Sequence, residues 1–295
     1  MNITGIFPPM LTPFNENGDV EYDVFVRNIQ KWNKESLGGY LVLGSNSETS
    51  YLTEEEKLKL IELTVQTAAK GRTILAGTGM ESTRETIRLT NKAARLGAHA
   101  ALILTPSYYI SQMTDKALIH HFNAIADSTE IPILLYNVPK FTHINLSANA
   151  VHILSEHPNI IGMKDSQGDV PQLESFKRVV PDEFNLIVGT ASALLPALTL
   201  GIRAGILALA NCAPSQCIQI EKFFHHGEME KAKELQARML PVNLAVTGTY
   251  GIAGLKYAST LLGYEGGSVR SPLLPLTSDE QNDLKKILTT ARLLA

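Results

Sequence analysis

Lys164 closes the apolar run Ile160-Ile161-Gly162-Met163-Lys164-Asp165-Ser166, which reads as a buried strand ending in a lone amine. An apolar wall disfavours the charged form of a lysine, leaving a free base able to attack a carbonyl. Imine chemistry is the leading expectation. The same run also suits a lysine whose stem packs while its ammonium reaches water at the strand end. Tyr136 lies in Ile131-Pro132-Ile133-Leu134-Leu135-Tyr136-Asn137-Val138-Pro139, one strand earlier. A phenol there needs a hydrogen-bond partner, and the neighbouring strand end offers an amine or a bound substrate. Taken alone it is as well explained as a core tyrosine satisfied by backbone. The pairing with Lys164 makes it a candidate proton carrier.

Gly44-Ser45-Asn46-Ser47-Glu48 follows an earlier apolar run and precedes a helical pattern. Consecutive backbone N–H groups with Ser45 and Asn46 side chains suit a carboxylate, although such stretches are also ordinary turns. Thr105-Pro106-Ser107-Tyr108-Tyr109 is open in the same way. Paired aromatics after a strand serve as a lid or an interface plug as readily as in catalysis.

Positioning these groups requires a rigid frame. Apolar segments at 5–11, 39–44, 73–79, 100–105, 131–138, 160–165, 185–189 and 204–211 alternate with amphipathic ones such as 21–34, 53–69, 82–96 and 115–126. Thr53 with Glu56 three places on is a capping box. Continuously apolar strands separated by helices imply a parallel sheet covered on both faces. Eight units predict a closed (β/α)8 TIM barrel rather than an open sheet, since no glycine-rich dinucleotide fingerprint follows the first strand. Beyond Pro214 only helical patterns remain, including 228–240, 255–262 and 278–294. The expected organisation is a barrel domain over residues 1–225 and a C-terminal helical bundle over 226–295.

Active sites of such barrels lie at the C-terminal ends of the strands. The polar residues there are Thr12, Ser45, Asn46, Thr105, Tyr136, Asn137, Lys164, Ser166 and Thr190. Glu48 and Asp165 are the only carboxylates near that level, and no histidine falls on a strand end, so no metal or other cofactor is expected. A net charge of −3 and the lack of a basic run give no field for nucleic acid. Cys212 and Cys217 are too few for a disulfide framework and read as small apolar residues. No apolar stretch spans a membrane and no targeting pattern opens the chain, so a cytoplasmic protein is expected.

In order and spacing, Gly44-Ser45-Asn46-Ser47-Glu48, Thr105-Pro106-Ser107-Tyr108-Tyr109, Tyr136-Asn137-Val138-Pro139 and Gly162-Met163-Lys164-Asp165-Ser166 resemble the dihydrodipicolinate synthase / N-acetylneuraminate lyase superfamily. The likeness runs from Gly5-Ile6-Phe7-Pro8-Pro9 to Arg270-Ser271-Pro272-Leu273. Its most specific element is the Tyr-x-x-Pro strand followed by the Lys-Asp-Ser strand. Within the superfamily the chain looks most like 4-hydroxy-2-oxoglutarate aldolase, through the Gly-Ser-Asn loop, His120-His121-Phe122 and Met163-Lys164-Asp165-Ser166-Gln167-Gly168-Asp169.

The resemblance implies that Lys164 forms an imine with a 2-oxo acid and that Tyr136 shuttles protons. Ser45 would link Tyr136 to a second tyrosine, Tyr108 or its neighbour Tyr109, from another subunit of a homotetramer. Asn46 and the loop amides would hold the substrate carboxylate, while Ser166 and Thr190 would line the aldehyde end. Two positions depart from the pattern. The synthases carry Tyr-x-x-Pro-x-Arg, where the arginine clamps a second carboxylate, whereas Phe141 stands here. Lys140 beside it is expected to point to the opposite side. Ser47 replaces a glycine of most relatives, and at a positive φ it would cost about 1 kcal/mol. The resulting expectation is a pyruvate-type class I aldolase that cleaves 4-hydroxy-2-oxoglutarate to pyruvate and glyoxylate. The alternatives are a 2-keto-3-deoxy sugar-acid aldolase or N-acetylneuraminate lyase, then dihydrodipicolinate synthase, and, outside enzymes, an oxo-acid-binding sensor.

Overall fold

The computed structural model describes residues 1–294. Eight parallel strands appear in chain order: β1 (Gly5–Phe7), β2 (Gly39–Val42), β3 (Thr73–Gly77), β4 (Ala100–Leu104), β5 (Ile133–Asn137), β6 (Ile160–Asp165), β7 (Asn185–Val188) and β8 (Ala204–Ile206). Strands β2 to β8 pair in sequence order, and β1 pairs with β8. The remaining seam closes through Gly38 N–H to Ile6 O (2.9 Å), Leu41 N–H to Pro8 O (3.1 Å) and Met10 N–H to Leu41 O (2.9 Å). The expected TIM barrel is therefore present.

Helices α1 (Tyr22–Trp32), α2 (Glu54–Thr67), α3 (Thr83–Arg95), α4 (Asp115–Ser128), α5 (Pro139–Thr142), α6 (Ala148–Ser155), α7 (Val170–Val179), α8 (Leu194–Thr199) and α9 (Pro214–His225) surround the sheet. Thr53 and Glu56 form the expected capping box on α2, each side chain satisfying the other's backbone N–H. The strands stop short of the apolar runs. Pro8 and Pro9 cannot donate to a ladder, and Ala208–Asn211 turns into a 3₁₀ helix. The apolar residues past these ends, such as Met10 and Leu209, are nonetheless buried. Burial, not strand pairing, is what their hydrophobicity recorded.

The alternation of the pleat sorts the strand side chains into two cores. Phe7, Leu41, Leu75, Leu102, Leu134, Tyr136 and Ile206 fill the barrel, while a larger cluster joins the outer strand faces to the helices. The C-terminal bundle consists of α10 (Met229–Leu244), a π-helical stretch at Ala245–Thr249, α11 (Gly251–Leu261) and α12 (Ser278–Thr290). Pro241 interrupts the α10 hydrogen-bond ladder just before the π stretch. The end of α10 packs against the Ala191–Ala193 turn after β7, which brings helical side chains to the mouth of the barrel. No helix among the described residues is long and apolar enough to cross a membrane.

Candidate active site

Tyr136 and Lys164 are register partners on β5 and β6. Both point into the barrel, and the Lys164 Nζ lies 4.3 Å from the Tyr136 ring centroid. One residue further, Asn137 and Asp165 also pair but face outward. Asn137 Nδ2 donates to Asp165 Oδ1 (2.7 Å), and Asn137 Oδ1 accepts the Leu146 N–H (3.0 Å). Gln172 Nε2 also donates to Asp165 Oδ1 (3.1 Å). Burial raises the Asp165 pKa against these hydrogen bonds. The outer pair thus pins the strand ends that carry the inner pair.

Two lysines are almost fully buried, Lys164 at 4% exposure and Lys256 at 2%. Lys256 is committed to Glu48, with Nζ to Oε1 at 2.5 Å. Lys164 has no ion pair or hydrogen bond among the described residues. Of the two, only Lys164 is available to a ligand.

Ser45 reaches this pair from the loop after β2, its Oγ 3.3 Å from the Tyr136 hydroxyl. Residues Ser45–Ser47 form a 3₁₀ turn held against the segment that follows β1. Ser47 Oγ donates to Met10 O (2.5 Å) and Thr12 Oγ1 donates to Ser47 O (2.8 Å). The positive φ angles fall at Leu43 (61°) and Glu48 (54°), on either side of Ser47. The cost expected for a serine there does not arise: Ser47 is right-handed, and its hydroxyl secures the loop. Asn46 is half-buried beside Ser45.

At the opposite side of Lys164, the Ser166 N–H donates to Asn137 O (3.0 Å), and its Oγ is buried without a protein partner. A Cβ on Gly189 would lie 2.0 Å from that hydroxyl, so the chain leaving β7 needs glycine to pass it. Thr190 caps the following turn. Asn243 of α10 then donates to Thr190 Oγ1 (3.1 Å) and Ser192 Oγ (2.8 Å). Asn243 is 1% exposed, and its Oδ1 has no partner. Neither Asn243 nor Ser192 was singled out by the sequence. Asn243 lies on a helix far along the chain, where one polar residue among many gives no signal.

Phe141 is 52% exposed, and the Lys140 ammonium donates to Thr247 O (2.5 Å) on the π-helical stretch. Tyr108 and Tyr109 pack edge to face, with centroids 5.0 Å apart, and are 78% and 70% exposed. Glu81 fixes their loop by accepting the Ser107 and Tyr108 N–H groups (2.9 Å each). Within one chain, therefore, Lys164, Tyr136 and Ser45 come together and Tyr108 stays apart. A concavity of about 920 Å³ opens at the other end of the barrel between Ile3, Glu156, Asn185 and Arg203. It contains none of these residues, and barrel chemistry belongs at the C-terminal face.

A closed β/α barrel with a buried amine beside a phenol at the C-terminal strand ends marks an enzyme class whose layout suits imine chemistry. The sequence relationships narrow it. Residues 2–291 match the dihydrodipicolinate synthetase family, and the chain belongs to that family. It is 34% identical over 286 residues to the 4-hydroxy-tetrahydrodipicolinate synthase of Methanothrix thermoacetophila, covering 97% of this chain and 96% of the relative. A dihydrodipicolinate synthase of Bacillus anthracis superposes with a TM-score of 0.93 at 30% identity, covering 98% of each chain. YagE, a prophage protein of the same family from E. coli, solved with pyruvate, gives 0.93 at 29% identity, covering 98% of this chain and 99% of its own. This chain is an enzyme of that family, of the class I aldolase type. The narrower likeness to 4-hydroxy-2-oxoglutarate aldolase is not among these relationships.

Proposed function

We propose that the protein is a pyruvate-type class I aldolase whose imine forms on Lys164. The observation that carries this reading is the buried, unpaired Lys164 amine beside Tyr136, whose hydroxyl meets Ser45. The amine adds to C2 of a 2-oxo acid, and loss of water gives a protonated imine. That cation is an electron sink. The C4 hydroxyl surrenders its proton, the C3–C4 bond breaks, an aldehyde leaves and an enamine remains on Lys164. Protonation at C3 and hydrolysis then release pyruvate and restore the amine. Tyr136, relayed by Ser45 and completed by Tyr108 of a second copy in a homotetramer, carries the protons. Asn46 and the loop amides hold the C1 carboxylate, with Ser166 and Thr190 at the aldehyde end.

The proposed substrate is 4-hydroxy-2-oxoglutarate, cleaved to pyruvate and glyoxylate. Phe141 in place of the arginine clamp argues against synthase activity with aspartate semialdehyde. A specific observation favours a second reading, a 2-keto-3-deoxy sugar acid. Ser166, Thr190 and Ser192 present hydroxyl donors together with the free Asn243 Oδ1 acceptor. Substrate hydroxyls can satisfy both kinds, whereas a carboxylate only accepts.

Two measurements test this. Borohydride with pyruvate should inactivate the enzyme and leave one reduced adduct on Lys164, and an adduct on Lys256 would overturn the mechanism. Pyruvate release is then compared across 4-hydroxy-2-oxoglutarate, 2-keto-3-deoxygluconate and N-acetylneuraminate, and fastest turnover of the first supports the proposed substrate.

A further inference from the structure

Glu48 ends the Ser45–Ser47 turn in a left-handed conformation (φ 54°, ψ 36°), a costly choice for a residue with a Cβ. Its side chain is fully buried. A carboxylate in that position needs compensation, and the compensation comes entirely from beyond the barrel. Lys256 of α11 pairs with Oε1, and the Arg270 N–H donates to Oε2 (2.8 Å). Lys256 is held in turn: its ammonium donates to Ser268 O (2.5 Å) and lies 4.4 Å from the Phe14 ring centroid. The Arg270 guanidinium covers the same ring at 4.2 Å and binds Glu56, the capping residue of α2. The strand of chain between them is threaded closely. A Cβ on Gly266 would lie 2.1 Å from Lys256 O, and one on Gly267 would lie 2.7 Å from Phe14 N. Burial pushes the Lys256 ammonium down to about 8, and the neighbouring Glu48 opposes that shift.

Glu48 is three residues from Ser45, the residue that meets Tyr136. We propose that Lys256 is a positioning residue for the catalytic loop: by clamping Glu48 it fixes the turn that presents Ser45 and Asn46 to the oxo acid. The C-terminal bundle thereby sets substrate affinity without touching substrate. This rests on Lys164 forming the imine, and trapping in the wild-type enzyme tests that premise separately.

The experiment measures the pyruvate concentration that half-saturates borohydride trapping, for wild type, Lys256→Met, Glu48→Gln and the double variant. Lys256→Arg serves as a rescue. Expected is a rise of tenfold or more for Lys256→Met, with full trapping at saturating pyruvate because Lys164 is intact. The double variant leaves no unpaired buried charge, so it folds more readily than either single one and shows the same rise. Lys256→Arg should recover most of the affinity. An unchanged half-saturation in folded Lys256→Met or in the double variant, whatever the loss of melting temperature, makes the pair purely structural and overturns the proposal. Absence of trapping in the wild type would refute the imine, not the clamp.

Discussion

Lys164 points its amine at the face of the Tyr136 ring, with Nζ 4.3 Å from the centroid. The Tyr136 hydroxyl faces away from that contact toward Ser45 Oγ at 3.3 Å. The ring therefore supports the amine while the hydroxyl stays free to move protons. Tyr136→Phe separates the two roles. It should lower kcat by about 10²–10⁴, the range for general acid–base catalysis, with little change in melting temperature. Turnover near normal would leave Tyr136 a packing residue only.

Phe141 gives a test of substrate choice. A bidentate arginine–carboxylate contact contributes about 1.5–3 kcal/mol, or roughly 10- to 150-fold. Condensation of pyruvate with aspartate semialdehyde should be slow in the wild type and should rise by that order in Phe141→Arg. Imine trapping at Lys164 should not change. Efficient synthase turnover by the unmodified protein would refute the substrate assignment.

Tyr108 is too exposed to serve its own site, and mixing experiments can show where it acts. Tyr108→Phe and Lys164→Ala should each be nearly inactive alone. After subunit exchange, a Lys164→Ala chain can lend its Tyr108 to a Tyr108→Phe chain, and activity should reappear. Tyr109→Phe should be close to wild type. No recovery on mixing would place the tyrosine outside the mechanism.

His121 predicts an acid-sensitive fold. Burial lowers its pKa from 6.5 to about 4, and its Nδ1 meets Thr83 Oγ1 at 2.9 Å. Between those values the unfolded chain binds a proton that the folded one refuses, so stability is lost as pH falls. From pH 7 to 5 this amounts to about 2 kcal/mol. His121→Gln should remove that part of the slope in urea unfolding curves. An equal slope in wild type and variant would dismiss it.

The barrel was legible because burial on both faces leaves a continuous apolar run at every strand. For the same reason the runs at 5–11 and 204–211 overstate β1 and β8: Leu11 and Ala210 are buried by loops and helices, and hydrophobicity does not separate the two cases. Lys164 and Tyr136 were visible as polar interruptions of such runs. Asn243 and Lys256 were not, because they enter from helices whose polar residues mostly face water. The worry over Ser47 failed on one residue of register, since the left-handed position belongs to Glu48.

Closure through β1 and β8 bears on how the chain reaches this state. Gly5 pairs with Ala204, and Asn185 ties both the Ile3 N–H (2.8 Å) and Met1 O (3.1 Å) to β7. These contacts span about 180 to 200 residues, so they form only after nearly the whole barrel has been synthesised. Until then β1 and the growing edge are both open to other chains. Recovery on dilution from urea should accordingly fall as protein concentration rises, and Asn185→Ala should worsen that loss more than it lowers the activity of molecules that do fold.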